Sequence, residues 1–313
     1  MNSGYRYCEV VKERYAGTRL LDYYVALYPK FDRNEWLARF ACAQICLNDQ
    51  VASPGAVVRT GDRLAYIRPP WDEPPAPMDL SVVFEDDDLL AINKPAGIPV
   101  LPGAGFLERT VVRILRRRSP QWSQVSPIHC LDRGTSGLLL LGKNREACSA
   151  LGRALQKRRM LRFYLAVLEG LAADDQFTIE AAIGLQPHPR LGPIHAASAG
   201  GKPSRTDFRV LDRDEAGRAT LVQAAPHTGR THQIRIHAAA AGHPLAGEPF
   251  YVAGGRWDDE AALRSDRIPL PGDCGYRLHA WRLHVAHPRS GEALHLECSP
   301  PPSFWICPLE ERS

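Results

Sequence analysis

The chain has no apolar run of the length a membrane span requires, roughly 18 or more residues. Its runs at 138–141 and 238–241 fall far short. Its opening residues, MNSGYRYCEV, lack the apolar core of a secretory signal, so a cytoplasmic location is the expectation. Cysteine occurs eight times but never as Cys-x-x-Cys, and free thiols rather than a disulfide framework are expected. His227, His232 and His237 recur at five-residue steps, yet neither HExxH nor a carboxylate pair accompanies them. On a strand that spacing puts neighbours on alternating faces, so no metal site is expected. Internal repeats and low-complexity tracts are missing too. What remains is an ordinary globular balance, 44% hydrophobic and 24% charged over 313 residues. That excludes fibrous, collagen-like and wholly disordered chains and leaves room for one large domain or two modest ones.

Lysine is scarce: 6 of the 39 basic residues, the other 33 being arginine. Arginine meets phosphate in a bidentate fork and stacks on bases, which suits a nucleic-acid surface. Codon bias in a GC-rich genome is the competing explanation, since Ala, Gly and Pro are abundant as well. It explains the choice of Arg over Lys better than it explains where the charge gathers. The net charge of +4 conceals a window, residues 105–162, with 13 basic and 3 acidic side chains, net +10. A field of that sign steers a polyanionic substrate.

Residues 69–78, PPWDEPPAPM, hold five prolines in ten positions and read as a stiff extended linker. It separates a small domain at 1–68 from a larger one at 79–313. In the first, apolar spacing predicts helices over 18–28 and 33–45, then short strands at 45–48, 57–59 and 63–67. In the second, strands are predicted at 80–85, 89–93, 137–141, 160–170, 206–211, 219–224 and 294–298. Helices are expected at 110–118, 145–157 and 232–241. Short strands joined by turns, with interspersed helices, imply an α+β domain built on a mixed, mostly antiparallel sheet.

Two segments concentrate chemistry. In IHCLDRGTSGLLLLGKN (128–144), Asp132 sits in a tight polar turn leading into a buried strand, a rigid mounting for a nucleophile or base. A turn-capping role for this Asp is the plainer alternative. In HTGRTHQIRIHAAAAGHPLAGEPFY (227–251), Arg230, His232, Gln233, Arg235 and His237 cluster at the start of an Ala-rich helix. Such a start can bind an anion or hold a carboxylate such as Asp132, or it can be a solvated helix end. RFYLAVLEG places Tyr164 early in a strand. INKPAGIPVLPGAG reads as a shaped loop, and YRLHAWRLHVAHP carries Leu278 ahead of alternating apolar positions.

In this order, the segments resemble the RluA-like family of RNA pseudouridine synthases over roughly residues 80–300. The carrying motifs are the H-x-LD-x-x-TSG turn, the Lys/Arg-x-Tyr-L strand and the GRTHQIRxH…GHPxxGxxxY segment. The N-terminal part is similar to the small alpha-L RNA-binding domain that often precedes this catalytic domain. The resemblance implies that the base of a uridine in RNA is detached at nitrogen 1, turned and rejoined through carbon 5, without metal or organic cofactor. Asp132 matches the catalytic Asp, which attacks ribose carbon 1 or removes the neighbouring ribose proton. Tyr164 matches the Tyr that packs on the base and can help remove the carbon 5 proton. Arg230 is matched to the Arg that pairs with the carboxylate, and Leu278 to the apolar residue backing the base.

One position departs from the family. Its H-x-LD turn carries Arg at the second place, where this chain has Cys130. That Arg helps fill the space left by a flipped nucleotide. Either another side chain such as Arg133 takes over, or the substrate uridine is already splayed, since unstacking costs least there. A Cys130 nucleophile is the alternative, with the intact Asp132 against it. The expectation is an RNA pseudouridine synthase acting as a monomer on ribosomal or transfer RNA. Arg116, Arg117, Arg118, Arg133, Lys157, Arg158 and Arg159 are its RNA-contacting candidates. A catalytically idle RNA-binding protein and a structural assembly factor are the other readings, and retention of Asp132, Tyr164 and Arg230 favours the enzyme over both.

Overall fold

The computed structural model describes residues 1–28, 31–259 and 269–304. The chain divides into two compact units, Met1–Glu73 and Pro74–Ser313, with the break inside the proline-rich stretch.

In the first unit, helices α1 (Leu20–Leu27) and α2 (Arg33–Ala41) join strands β1 (Tyr5–Val10), β2 (Ile45–Leu47), β3 (Gln50–Val51) and β4 (Arg63–Arg68). The strands form one antiparallel sheet in the order β1-β4-β2-β3. Leu20, Tyr24, Trp36, Phe40, Ile45 and Leu64 make its core. Asp32 and Glu35 close a reciprocal capping box at the start of α2. That helix is shorter than its apolar spacing suggests. It ends at Ala41, Ala43 turns left-handed at φ 55°, and Ile45 already belongs to β2. The strand expected at 57–59 is reduced to a single bridge between Val57 and Arg19.

The second unit is built on a ten-stranded sheet. Its strands are β5 (Ser81–Glu85), β6 (Leu89–Lys94), β7 (Ser126–Pro127), β8 (Ser136–Gly142), β9 (Leu161–Glu169) and β10 (Gln176–Ile179), with β13–β16 described below. A separate hairpin pairs β11 (Ile183–His188) with β12 (Gly192–Ala197). The remaining strands are β13 (Thr206–Asp214), β14 (Ala219–Pro226), β15 (Leu278–Ala286) and β16 (Ala293–Glu297). The sheet order is β10-β13-β14-β9-β15-β8-β6-β5, with β16 on β15 and β7 on β8. Every pair is antiparallel except β15 with β8. The unit is therefore mixed α+β with a largely antiparallel sheet, the class the sequence implies. Helices α3 (Val111–Arg118), α4 (Arg145–Gln156) and α5 (Gln233–Ala240) accompany it. All seven residues of β8 are buried, which explains its unbroken leucine run.

The parallel contact positions the site. It is short, joining His279 to Ser136 and Ala280 to Gly137. Gly137 has φ 103°, and a Cβ there would lie 2.2 Å from the Ala280 carbonyl oxygen, so only glycine allows the two backbones this close. Across the junction Ser136 Oγ bonds His279 Nδ1 at 2.9 Å. The turn holding Asp132 runs into β8 at this fixed point.

Candidate active site

A cavity of about 930 Å³ opens beside the Asp132 turn, and Asp132, Tyr164, Arg230 and Leu278 all line it. The structure thus gathers the four residues singled out from the sequence, drawn from four separate segments. Tyr164 and Leu278 are buried on adjacent strands, β9 and β15. Burial pushes the Tyr164 phenol up, with Asp132 adding to the rise and Arg162 acting against it. The Asp132 side chain is about one-third exposed. The Thr135 amide closes the turn onto the Asp132 backbone carbonyl at 3.1 Å. Among the described residues the Asp132 carboxylate caps no backbone N–H, so the turn does not consume it.

The neighbour of the Asp132 carboxylate differs from expectation. The Arg230 guanidinium donates to the Pro203 carbonyl at 3.3 Å and forms no ion pair with Asp132. The group within ion-pair reach is His232, whose Nε2 lies 3.8 Å from Asp132 Oδ1. Behind it, the fully buried Arg235 grips Glu248 through Nε at 2.8 Å and Nη2 at 2.5 Å. Its Nη1 donates to the Pro271 carbonyl at 2.6 Å. Burial works against the Arg235 charge. The Glu248 bonds, Tyr276 and finally Asp132 outweigh it and raise the pKa. The reason for the exchange is local. His232 caps α5 in the left-handed region, φ 55°, which leaves Arg230 in the preceding loop and buries Arg235 in the helix's first turn. The ring of Tyr276 lies 4.1 Å under the Arg235 guanidinium.

Sequence reasoning passed over Lys94. It is wholly buried at the end of β6, and its Nζ donates to the carbonyls of Pro95 (3.0 Å) and Arg133 (3.2 Å), bracing the Asp132 turn from within. Burial pulls it down to about 7, with Cys274 and then Asp132 resisting. The signal available was a lysine in a chain that holds only six, set in a Pro/Gly loop.

The basic candidates separate. Arg116 donates twice to the Val125 carbonyl, Arg118 donates to the Leu80 carbonyl, and Arg117 pairs with Glu108 at 2.8 Å. The basic end of α3 is exposed, but each of its three arginines already has a partner within the protein. Arg133, offered above as the replacement for the family's Arg, is also tied back. It reaches the Gly272 carbonyl at 3.0 Å and Asp273 at 3.5 Å, and it does not line the cavity. Arg158 does line it, next to exposed Lys157 and Arg159 just beyond α4. Cys130 is on the cavity wall as well. Desolvation and then the Asp132 charge push its thiol up, away from a nucleophilic thiolate.

Comparison with known proteins identifies the family. Residues 88–240 match the family model for RNA pseudouridylate synthase. The chain is 35% identical to RNA pseudouridine synthase 5 of Oryza sativa subsp. japonica, over 94% of this chain and 86% of that protein. It is also 35% identical to ribosomal large subunit pseudouridine synthase D of Neisseria meningitidis serogroup B, over 93% of this chain and 78% of the relative. Human RNA pseudouridylate synthase domain containing 1 superposes with a TM-score of 0.54 at 30% identity, covering 74% of this chain and 87% of that one. The fold is that of a pseudouridine synthase. The chain belongs to the RluA-like family and is an RNA pseudouridine synthase. Among the described residues no helix is long and apolar enough to cross a membrane.

Proposed function

We propose that this enzyme converts uridines of ribosomal RNA to pseudouridine with Asp132 as its catalytic carboxylate and without metal or organic cofactor. The observation carrying this reading is an Asp132 carboxylate left unused by its own turn, in a cavity whose apolar wall is Tyr164 and Leu278. A planar base can lie against that wall while the carboxylate meets ribose carbon 1 or its neighbouring proton. Arg235 supplies the opposing positive charge from behind, and Arg230 serves the cavity wall. The names of the bacterial relatives favour ribosomal over transfer RNA. Arg158, Lys157 and Arg159 are the cations best placed to meet phosphate, and the first unit adds RNA contacts. With Cys130 short and Arg133 tied back, an already splayed uridine is the substrate this site favours.

Tritium release from RNA labelled at uridine carbon 5 tests the reading. Release by the wild type that Asp132→Asn abolishes supports it. RNA binding without release would instead indicate a catalytically idle RNA-binding protein that keeps the fold.

A further inference from the structure

Arg162 stands two residues before Tyr164 on β9, so both side chains leave the strand on the same face. Both line the cavity. β14 pairs with β9 as far as Tyr164, opposite Ala224, and its last residues run on past Arg162 into the 227–230 loop. There Arg162 Nη2 donates to the Thr228 carbonyl at 3.2 Å. Gly229 lies beside the guanidinium: a Cβ there would make ordinary van der Waals contact, 3.9 Å, with both terminal nitrogens. Its Nε is buried without a hydrogen-bond partner. A guanidinium braced at one nitrogen and underused at another, alongside a buried phenol, is poorly explained as packing alone.

We propose that Arg162 is the positioning residue for Tyr164, setting its phenol oxygen against the cavity and stabilising that oxygen as an anion. The inference rests on the pseudouridine reading of the site. After carbon 5 has bonded to ribose, the Tyr164 phenolate takes the proton from carbon 5. The C–H electron pair forms the carbon 5–carbon 6 double bond, and the carbon 6–nitrogen 1 double-bond pair moves onto nitrogen 1. Nitrogen 1 takes a proton from water, and the neutral phenol then yields its own proton to water. The charged groups acting on Tyr164 are Arg162 on its own strand and Asp132 from the turn before β8, with opposite effects. The strands on either side present Ala224 and Ala280 opposite it. Elsewhere the ionisable lining is His129 and Cys130, Arg158, Asp207 and His227, and Arg230, His232 and Arg235.

A double-mutant cycle on the full chain tests this, with tritium release measured from pH 6 to 10. Arg162→Gln is expected to lower kcat by about tenfold to a hundredfold with KM within about twofold, and to displace the alkaline rise of kcat to higher pH. In a Tyr164→Phe background it should cost nothing more. Arg162→Lys, which keeps the charge, should recover most of the rate and also serves if the Gln variant fails to fold. A rise in KM alone would make Arg162 a phosphate anchor and overturn the proposal, as would an equal loss in both backgrounds. Asp132→Asn, run alongside, separates the two readings. If it abolishes release while the cycle is additive, the enzyme reading stands and only the role of Arg162 fails.

Discussion

His232 Nδ1 lies 2.8 Å from the Tyr251 hydroxyl, and that bond decides which nitrogen faces Asp132. The hydroxyl proton is already given to the His195 carbonyl at 2.9 Å, so Tyr251 can only accept from the ring. The neutral imidazole therefore carries its proton on Nδ1 and turns the lone pair of Nε2 toward Asp132, 3.8 Å away. Burial pulls His232 down while Asp132 pulls it up, with burial the stronger. Tyr251→Phe keeps the ring and removes this orientation. It is expected to lower kcat by about tenfold to a hundredfold through misplacement of His232, read by tritium release. Wild-type kcat in that variant would remove His232 from the account.

Arg235 and Glu248 are each about 1% exposed in the side chain and satisfy one another in a two-point fork. Breaking one side of such a pair strands a buried charge, at about 3–5 kcal/mol. Glu248→Gln is accordingly expected to lower the calorimetric Tm sharply. Arg235→Lys keeps the charge but loses the fork and the Pro271 bond, and should depress activity as well as stability. Arg230→Ala, by contrast, should leave Tm nearly unchanged and raise KM for RNA more than it lowers kcat. If Arg230→Ala proves the more damaging to kcat, the assignment of the opposing charge to Arg235 fails.

The contrast shows what the sequence can and cannot reveal. β8 and β9 were legible because their apolar runs are bounded by turns, and Asp132, Tyr164 and Leu278 because each follows from a motif. The choice between Arg230 and Arg235 was not legible. Gln233 through Ala239 are all buried, so α5 has no polar stripe to say which side chain points where. The left-handed cap at His232, which decides it, leaves no mark in composition. β1 escaped for the opposite reason. It is an edge strand exposed along nearly its whole length, without alternation to betray it. The β11–β12 hairpin was missed because Pro187 and Pro193 sit opposite each other within it, where proline usually argues against a strand.

Gly137 offers a direct test of the parallel junction. Gly137→Ala adds a methyl 2.2 Å from the Ala280 oxygen at a φ of 103°. Overpacking and left-handed strain together put the cost at about 2–5 kcal/mol, read as a lower urea midpoint. Because the junction mounts the Asp132 turn, activity measured where the variant is still folded should fall as well. A folded variant of normal activity would show that β15 does not hold that turn.

His129 makes the stability of the protein depend on pH in a particular direction. It is buried three residues before Asp132, with Nε2 accepting weakly from the Leu140 amide at 3.4 Å and Nδ1 unpartnered. Burial first, and then the Arg162 charge, bring it down to about 3. A group whose folded pKa lies below its unfolded value binds its proton more readily in the unfolded chain. Stability is therefore complete above the ordinary imidazole value near 6.5 and is lost as pH falls from there toward 3, by about 1.4 kcal/mol per unit for one proton. His237 and His279, also lowered by burial, act in the same sense. Urea unfolding between pH 7 and 5 should show a steep loss in the wild type. His129→Gln, less stable at pH 7, should show a slope shallower by about one proton. Parallel slopes would mean that His129 takes up its proton within the folded protein, and that the wall beside Asp132 admits water.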